Sequence, residues 1–333
     1  MTDLKGIEIS DLLGLSQPLT KLIETVSAGV GKIYEPIHIK RMAKAKACEI
    51  TKLSESINEN IGLPIMYKNG EVNIDTTDYT ELFHRASNRF IFQEVKKQQN
   101  IDAIFFEAYQ EIEKKDIVNE NAVDIDWINT FFDYESHISD TEMQKLWGKL
   151  LAEEVEEPGR FSVRTLDILR KLTHREAGLF SKISPYVLSC FGDSSKSFKD
   201  YFVFADDYSE SDFTKKLGYD FSTMLSLAEA GLVQAMPFVS VGIEVPPGER
   251  GIFEGKKSFI EVCNKSAQKV LLRTGAYCLT AMAKELLPVV WKMNETEVPD
   301  WYMEECKKHL IEDNALQVRI LEGNIHIKII AKN

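Results

Sequence analysis

Apolar side chains recur every three or four residues along the first half of the chain, which is the spacing of amphipathic α-helices. Longer stretches of this kind run from Leu82 to Glu113 and from Asp124 to Glu157. Short loops between the later helices predict antiparallel, packed neighbours. An earlier stretch lies within residues 10–34, and its apolar positions are Leu19, Leu22, Ile23, Val26, Val30 and Ile33. A second helix is predicted over residues 37–57, and Asn69-Gly70 predicts a short hairpin.

The pattern changes in the second half of the chain. Residues 258–264 alternate between apolar and polar positions, and residues 269–280 form a second predicted strand. Residues 192–212 are rich in Ser, Asp and Phe and are predicted to be an irregular connector. Near the end, LQVRIL and IHIKII flank Glu322-Gly323-Asn324, which predicts a β-hairpin.

The order of elements in this half resembles that of the winged-helix regulators. A helix ends at Gly231, which can take a positive φ, and the two strands are interpreted as the wing. Thr280 then caps a closing helix. Ser139, Ser162 and Thr173 are the predicted caps of three earlier helices. The predicted fold is mainly α, with a helical N-terminal and central region, a winged-helix-like α+β module and a small C-terminal strand pair.

This pattern divides the chain into four predicted parts. They are N-terminal helices for oligomerisation or docking (1–60), a helical domain (77–160), the winged-helix-like module (161–292), and a C-terminal helix with a β-hairpin (299–333).

Composition and charge narrow the class of protein. The formal net charge is −12, so the whole chain does not have the charge of a nucleic-acid coat. No apolar run approaches the roughly 20 residues that span a bilayer, and the N-terminus lacks a signal-peptide pattern. The five cysteines are widely spaced without a CxxC pair, which predicts reduced thiols. We expect a cytoplasmic protein.

Two acidic clusters are the strongest candidates for chemistry. Asp124 and Asp126 could bind Mg²⁺ or act in acid–base catalysis, but they precede a helix, where acids also stabilise the N-terminus. Residues 153–157 hold four glutamates at a helix end beside Pro158-Gly159. We favour the structural interpretation of both clusters, so no catalytic residue, metal site or cofactor is predicted.

Several longer motifs resemble those of a known family. They are QQNIDAI (98–104), DIDWINTFF (124–132), SDTEMQKLWGKLLAEEVEEPGRFSVRTL (139–166) and HREAGLF (174–180). Together they resemble the bacterial family known as domain of unknown function 2806. That resemblance implies a shared fold without an activity or catalytic residues. The Leu-Trp-x-x-Leu-Leu-Ala element is also similar to the abortive-infection alpha proteins, which implies a role in phage defence.

Basic residues suggest two kinds of binding surface. A DNA interface would use cations beside and within the predicted wing: Lys215, Lys216, Arg250, Lys256, Lys257, Lys265, Lys269 and Arg273. The predicted recognition helix, however, offers Ser222, Thr223, Ser226 and Glu229 rather than Arg or Asn. A protein-docking surface would use Lys40, Arg41, Lys44, Arg160 and Arg164.

The sequence therefore predicts a non-enzymatic cytoplasmic binding or scaffold protein, with phage defence as the setting that the resemblance suggests. A protein partner or self-association is expected, and a small-molecule ligand is not identifiable. One alternative is a DNA-binding winged-helix regulator. The other is a membrane-associated effector acting through residues 10–34, although packing of that segment in a core is favoured over membrane contact.

Overall fold

The structure is a computed structural model that describes residues 16–30, 66–68, 71–73, 80–115, 117–192, 200–204, 212–234, 239–310 and 316–322. The chain divides into two units, residues 1–160 and residues 161–333. The N-terminal helix predicted over residues 37–57 lies outside the described residues, as does the strand predicted at 325–330.

The first unit is built from helices. They are α1 (Gln17–Val30), α2 (Thr80–Ile112), α3 (Ile125–Glu135) and α4 (Thr141–Glu156). A short antiparallel pair, β1 (Met66–Lys68) and β2 (Glu71–Asn73), also belongs to this unit, at the place where Asn69-Gly70 predicted a hairpin.

Helix α1 is part of the core of this unit. Leu22 and Val26 are completely buried, and Leu19 and Ile23 are nearly so. At Gly29 an added Cβ would lie 2.1 Å from the Phe132 ring, so the absence of a side chain lets α1 approach α3 closely. The apolar face of residues 10–34, as far as the structure describes it, is therefore covered by protein.

Close packing also joins α2 and α4. A Cβ on Gly148 would lie 2.5 Å from Cβ of Glu107 and 2.9 Å from the carbonyl oxygen of Ile104, so only glycine allows this crossing. Trp147 is fully buried beside Phe131, with ring centroids 5.2 Å apart. The packed part of α2 begins at about Asn100, and the preceding turns of the helix are mostly exposed.

The described part of the second unit contains six α-helices. They are α5 (Val163–Lys171), α6 (His174–Ile183), α7 (Asp212–Leu217), α8 (Phe221–Glu229), α9 (Ala281–Met293) and α10 (Asp300–Leu310). The predicted caps at Ser162, Thr173 and Thr280 are confirmed, and Thr173 forms a capping box with Glu176. Gly231 has φ +77°, as the predicted helix end requires.

Side chains connect these helices. The carboxylate of Glu285 in α9 accepts from the Ser162 N–H at 2.8 Å and from the Thr165 hydroxyl at 2.6 Å. The Thr280 hydroxyl donates to the carbonyl of Gly231 at 2.6 Å, so the end of α8 is joined to the start of α9.

A seven-stranded antiparallel sheet completes the unit. Its strands are β3 (Val187–Gly192), β4 (Asp200–Phe204), β5 (Val239–Val245), β6 (Arg250–Glu254), β7 (Ser258–Asn264), β8 (Val270–Cys278) and β9 (Leu316–Glu322). Their order is β5-β8-β4-β3-β6-β7-β9. Residues of β5 also come within 8 Å of β3 and β6, so the sheet is curled.

Helix α10 packs on this sheet through Tyr302. The Tyr302 hydroxyl donates to the Tyr186 carbonyl at 2.7 Å and accepts from the Phe204 N–H at 3.3 Å. Phe202, Phe204 and Phe253 are buried beside it. The core of this unit is therefore aromatic.

Two details of the predicted strands were wrong. The connector predicted at 192–212 contains β4, because its Phe202 and Phe204 are core residues of a central strand. The predicted wing strands, β7 and β8, both form but do not pair with each other, since β7 lies between β6 and β9 and β8 between β5 and β4. The strand predicted at LQVRIL forms as β9 and pairs with β7, while the second strand of the predicted hairpin lies outside the described residues.

Helices thus account for most of the described first unit, and the second unit combines helices with one antiparallel sheet. In the part of the chain that the structure describes, none of the helices has both the length and the apolar character needed to cross a bilayer.

Candidate binding surfaces

Four of the cations predicted to contact DNA have partners within the chain. Three of them form ion pairs. Arg250 pairs with Glu261 at 3.1 Å, Lys269 pairs with Glu244 at 3.2 Å, and Lys257 pairs with Glu297. The ammonium of Lys256 donates to the carbonyls of Asn294 and Thr296. Each carboxylate offsets the positive field that a phosphate would need.

The other four cations of that predicted interface are dispersed. Lys265 is exposed, and the ammonium of Lys216 lies 5.7 Å from the centroid of the Trp301 ring. Lys215 lies in α7, and Arg273 lies in β8 opposite Gly242. The side chains of Lys215 and Arg273 are outside the described part of the structure.

The residues predicted to form a protein-docking surface have different surroundings. Arg160 forms ion pairs with Glu153 at 3.0 Å and with Glu157 at 3.6 Å. Glu153 is almost completely buried, so Arg160 has a structural role at the end of α4. Arg164 is exposed in the first turn of α5, while Lys40, Arg41 and Lys44 lie outside the described residues.

The acidic clusters have structural partners. The Asp124 carboxylate caps α3 by accepting from the N–H groups of Asp126 and Trp127, both at 2.9 Å. The buried Glu154 carboxylate accepts from the Gly159 N–H at 2.6 Å. Among the residues that the structure describes, no three His, Cys, Asp or Glu side chains are grouped as metal ligands.

The buried thiol of Cys306 illustrates the state of the cysteines. Burial raises the pKa of Cys306 well above its ordinary value, and a hydrogen bond with Tyr302 opposes that change. The thiolate is the nucleophilic form, so this side chain is unreactive at neutral pH. Cys190 and Cys278 are also buried, and neither forms a disulfide.

Helix α8, the predicted recognition helix, presents an acidic and apolar stripe. Phe221 and Leu225 are each 47% exposed and one turn apart, and Glu229 follows one turn later. Asp220 caps the helix, and hydrogen bonds from Thr223 and Ser222 lower the pKa of Asp220 to about 2. We call residues 221, 225 and 229 the α8 stripe, which carries the negative charge of Glu229.

A second, basic stripe lies on the exposed part of α2. We call residues 81–99 the α2 arm. Five exposed side chains recur in the arm at alternating intervals of three and four, so they share one side of the helix. These positions, the arm stripe, are Leu82, Arg85, Arg89, Phe92 and Lys96.

The cations of the arm stripe differ from those of the sheet. Within the described residues, none of the three forms an ion pair, although the neighbouring Lys97 pairs with Glu94. Leu82 is 55% exposed and Phe92 is 68% exposed. Exposed apolar side chains that share one side of a helix with charges lacking an ion pair form a candidate interaction surface.

Sequence reasoning missed the arm stripe. Phe90, Ile91 and Val95 lie on other sides of the same helix, so the stretch resembles a buried helix when apolar positions are counted. The sequence did contain a signal: positions 82, 85, 89, 92 and 96 recur at intervals of three and four residues, which places the three cations on the same side of the helix as Leu82 and Phe92.

A buried carboxyl lies where the arm joins the core. Glu135 at the end of α3 is 1% exposed, and neither of its oxygens has a hydrogen-bond partner. Burial, and secondarily the charge of Asp102 in α2, raise the pKa of Glu135 well above its ordinary value. The Asn100 side chain donates to the carbonyl of Ser136 at 2.8 Å in the same region.

The comparison with protein families agrees with the motif resemblance. The family described as "Protein of unknown function (DUF2806)" matches residues 84–301, more than half of the chain, and the chain belongs to that family. No curated protein and no solved structure matches the chain.

Proposed function

We propose that this protein acts by binding another protein, and that the arm stripe is its contact surface. The observation that carries the proposal is the exposure of Leu82 and Phe92 in one stripe with three cations that have no ion pair among the described residues. The proposal assigns no catalytic residue.

The mixture of charge and apolar area favours a protein over a nucleic acid. Phosphate contacts need cations, but Leu82 and Phe92 lose contact with water only against an apolar surface. Apolar anchors surrounded by charges are typical of protein interfaces, where Arg and aromatic residues contribute most of the binding energy.

The DNA-binding alternative receives less support. The cations near the predicted wing have acidic or carbonyl partners, and the α8 stripe would repel phosphates. We keep the winged-helix interpretation as part of this proposal, with β5 and β8 rather than β7 and β8 as the wing. It is supported by β5 and β8, which pair between α8 and α9, and by a bridge from Val233 to Leu279 at the base of that ribbon.

The membrane alternative relied on residues 10–34. In the described part of that segment, the apolar side chains pack in the core of the first unit. Phage defence has only the resemblance to abortive-infection alpha proteins as its support, and plaque counts with and without the gene would test it.

Site-specific photo-crosslinking tests the proposal. A photoreactive phenylalanine analogue replaces Phe92 in one sample and Lys257, on the sheet, in a matched sample. We expect crosslinked protein at position 92 and little at position 257. The DNA-binding alternative would be favoured if position 257 crosslinked nucleic acid while position 92 crosslinked neither protein nor nucleic acid.

A further inference from the structure

We infer that Glu135 is a pH-sensitive switch, which keeps the connection between α3 and α4 closed while its carboxyl is neutral and opens that connection when the carboxyl ionises. We call residues 136–140 the α3–α4 connection. The inference stands on the burial of Glu135, on its missing hydrogen bonds and on its neighbours. It does not depend on the proposed function, since it concerns the fold of the first unit.

The surroundings of the Glu135 side chain favour its neutral form. The residue is 1% exposed, and within the described residues neither carboxyl oxygen takes part in a hydrogen bond. A buried carboxylate in this position loses its hydration and gains no protein donor in exchange. Glu135 therefore keeps its proton in the closed fold, where burial raises its pKa well above the ordinary value.

The charges around Glu135 do not compensate for an ionised carboxyl. Asp102, on the adjacent helix α2, is a second acid and repels the ionised form. Among the described residues, no cation acts on Glu135. The other charged or titratable side chains of the surrounding elements, none of which acts on it, are Lys97 and Glu107 of α2, Lys21 and Glu24 of α1, Glu142 and Lys145 of α4, and Asp133 and His137 beside the connection.

Two amide side chains from the neighbouring helices hold the α3–α4 connection in its closed position. Asn100 of α2 donates to the Ser136 carbonyl at 2.8 Å, and Gln144 of α4 donates to the Ile138 carbonyl at 2.9 Å. The Gln144 amide also donates to Oδ1 of Asn100 at 3.4 Å, so the two side chains form one network. These neutral hydrogen bonds join three helices at the residues that directly follow Glu135.

A small movement of the connection is enough to hydrate the carboxyl. Glu135 is the last residue of α3, and the bond from the Ser136 N–H to the Phe132 carbonyl is long, at 3.4 Å. Positions 137, 139 and 140 are already exposed, so the displacement of one turn admits water. Water replaces the neutral hydrogen bonds that are lost, whereas the ionised carboxyl recovers its hydration only in the open form. Ionisation therefore favours opening.

The direction of the pH effect follows from the two states. The pKa of Glu135 is raised in the closed state and has its ordinary value of 4.5 in the open, hydrated state. Below that pH both states keep the proton, and opening does not depend on pH. Above it only the open state loses the proton, so the ratio of open to closed molecules rises about tenfold per pH unit until the raised pKa is reached.

Native-state hydrogen exchange of the full chain tests this switch. The Ile138 N–H, which donates to the Glu135 carbonyl at 2.8 Å, reports on the connection, and the Trp147 N–H reports on the buried part of α4. After division by the intrinsic exchange rate, exchange at Ile138 should increase about tenfold per pH unit from pH 5 upward. Dilute urea should accelerate exchange at Trp147 but not at Ile138, because a local opening exposes little surface.

Two substitutions separate the charge of Glu135 from its packing. Glu135→Gln keeps the shape without the charge, so corrected exchange at Ile138 should no longer depend on pH. Asp102→Asn removes the repelling charge, so the rise with pH should level off at a lower pH than in the wild type. Glu142→Gln, at an exposed position in the first turn of α4, is the matched control and should keep the wild-type profile.

Three results would overturn the inference. They are corrected exchange at Ile138 that is independent of pH in the wild type, an unchanged pH dependence in Glu135→Gln, and acceleration by urea at Ile138 equal to that at Trp147. The last result would mean that Glu135 ionises only when the whole unit unfolds. If circular dichroism shows that Glu135→Gln is unfolded, Asp102→Asn decides, and an unshifted profile in that variant contradicts the switch. Photo-crosslinking of the arm stripe tests the proposed function separately.

Discussion

The cations of the sheet and those of the α2 arm are alike in sequence but differ in their surroundings. Arg250, Lys257 and Lys269 each face a carboxylate on a neighbouring segment. Arg85, Arg89 and Lys96 face none within the described residues. A count of basic residues selects the first group as a binding surface, whereas the spatial arrangement selects the second.

The difference shows that a basic residue contributes to a surface only through the charges around it. Strand pairing brings Glu261 of β7 beside Arg250 of β6, although eleven residues separate them along the chain. Within the described residues, no neighbouring segment supplies such a partner to Arg85, Arg89 or Lys96. The following predictions, from the largest expected effect to the smallest, test this contrast.

The largest effect should come from disturbing the close contact between α4 and α2, the helix that carries the arm. Gly148→Ala places a Cβ against α2, so we expect unit 1 to lose about 3 kcal/mol of stability. Gly178→Ala is the matched control in a helix with open space around it, and it should be neutral or stabilising by up to about 1 kcal/mol. Hydrogen exchange of the α4 amides measures the first effect, and equal protection in both variants would contradict it.

Arg160 forms an ion pair with the nearly buried Glu153, whereas Arg89 has no ion pair among the described residues. Comparing the two arginines sharpens the contrast. Arg160→Ala leaves the buried Glu153 without its partner, and we expect a loss of about 2–3 kcal/mol. Arg89→Ala should change stability by less than about 0.5 kcal/mol. Urea unfolding of both variants makes the comparison, and Glu153→Gln added to Arg160→Ala should recover much of the loss.

Glu135, which lies where the α2 arm joins the core, makes the stability of the first unit depend on pH. The folded chain keeps the Glu135 proton above pH 4.5, where an unfolded glutamate loses it, so stability should fall as pH rises from there toward the raised pKa. The slope is about 1.4 kcal/mol per pH unit for one proton. Glu135→Gln should remove this slope from urea unfolding curves, and a parallel pH profile in both proteins would contradict it.

The exposed pair of Arg250 and Glu261 should give the smallest effect. A double-mutant cycle with alanine at both positions should give a coupling energy below about 1 kcal/mol, because solvent screens the partly exposed guanidinium. The pairing therefore changes the surface field more than the stability of the fold. A coupling well above that value would mean that Arg250 is a structural cation like Arg160.

Local signals predicted the helical elements of this protein well. Ser162, Thr173, Gly231 and Thr280 cap or end their helices as expected, because capping depends on hydrogen bonds between residues close in sequence. One helix start was displaced, since Asp140 rather than Ser139 caps α4. Both residues are good caps, and local preference does not choose between them.

The sheet was predicted only in part. Strands β7, β8 and β9 were predicted from the sequence, but β3 to β6 were missed. Phe202 and Phe204 lie in a segment rich in Ser and Asp, and their burial depends on Tyr302, about 100 residues away. Strand pairing is a long-range property, so the sequence pattern identified three strands of the sheet without their neighbours.

The amino-acid sequence was sufficient for the family, for most helix boundaries and for the absence of a long apolar span, because these depend on short motifs and local periodicity. The tertiary structure decided which of the charges are paired. The basic residues near β6, β7 and β8 find partners across the sheet and across loops, while those of α2 extend from a single helix. Only the packing of distant segments could distinguish a neutralised surface from an available one.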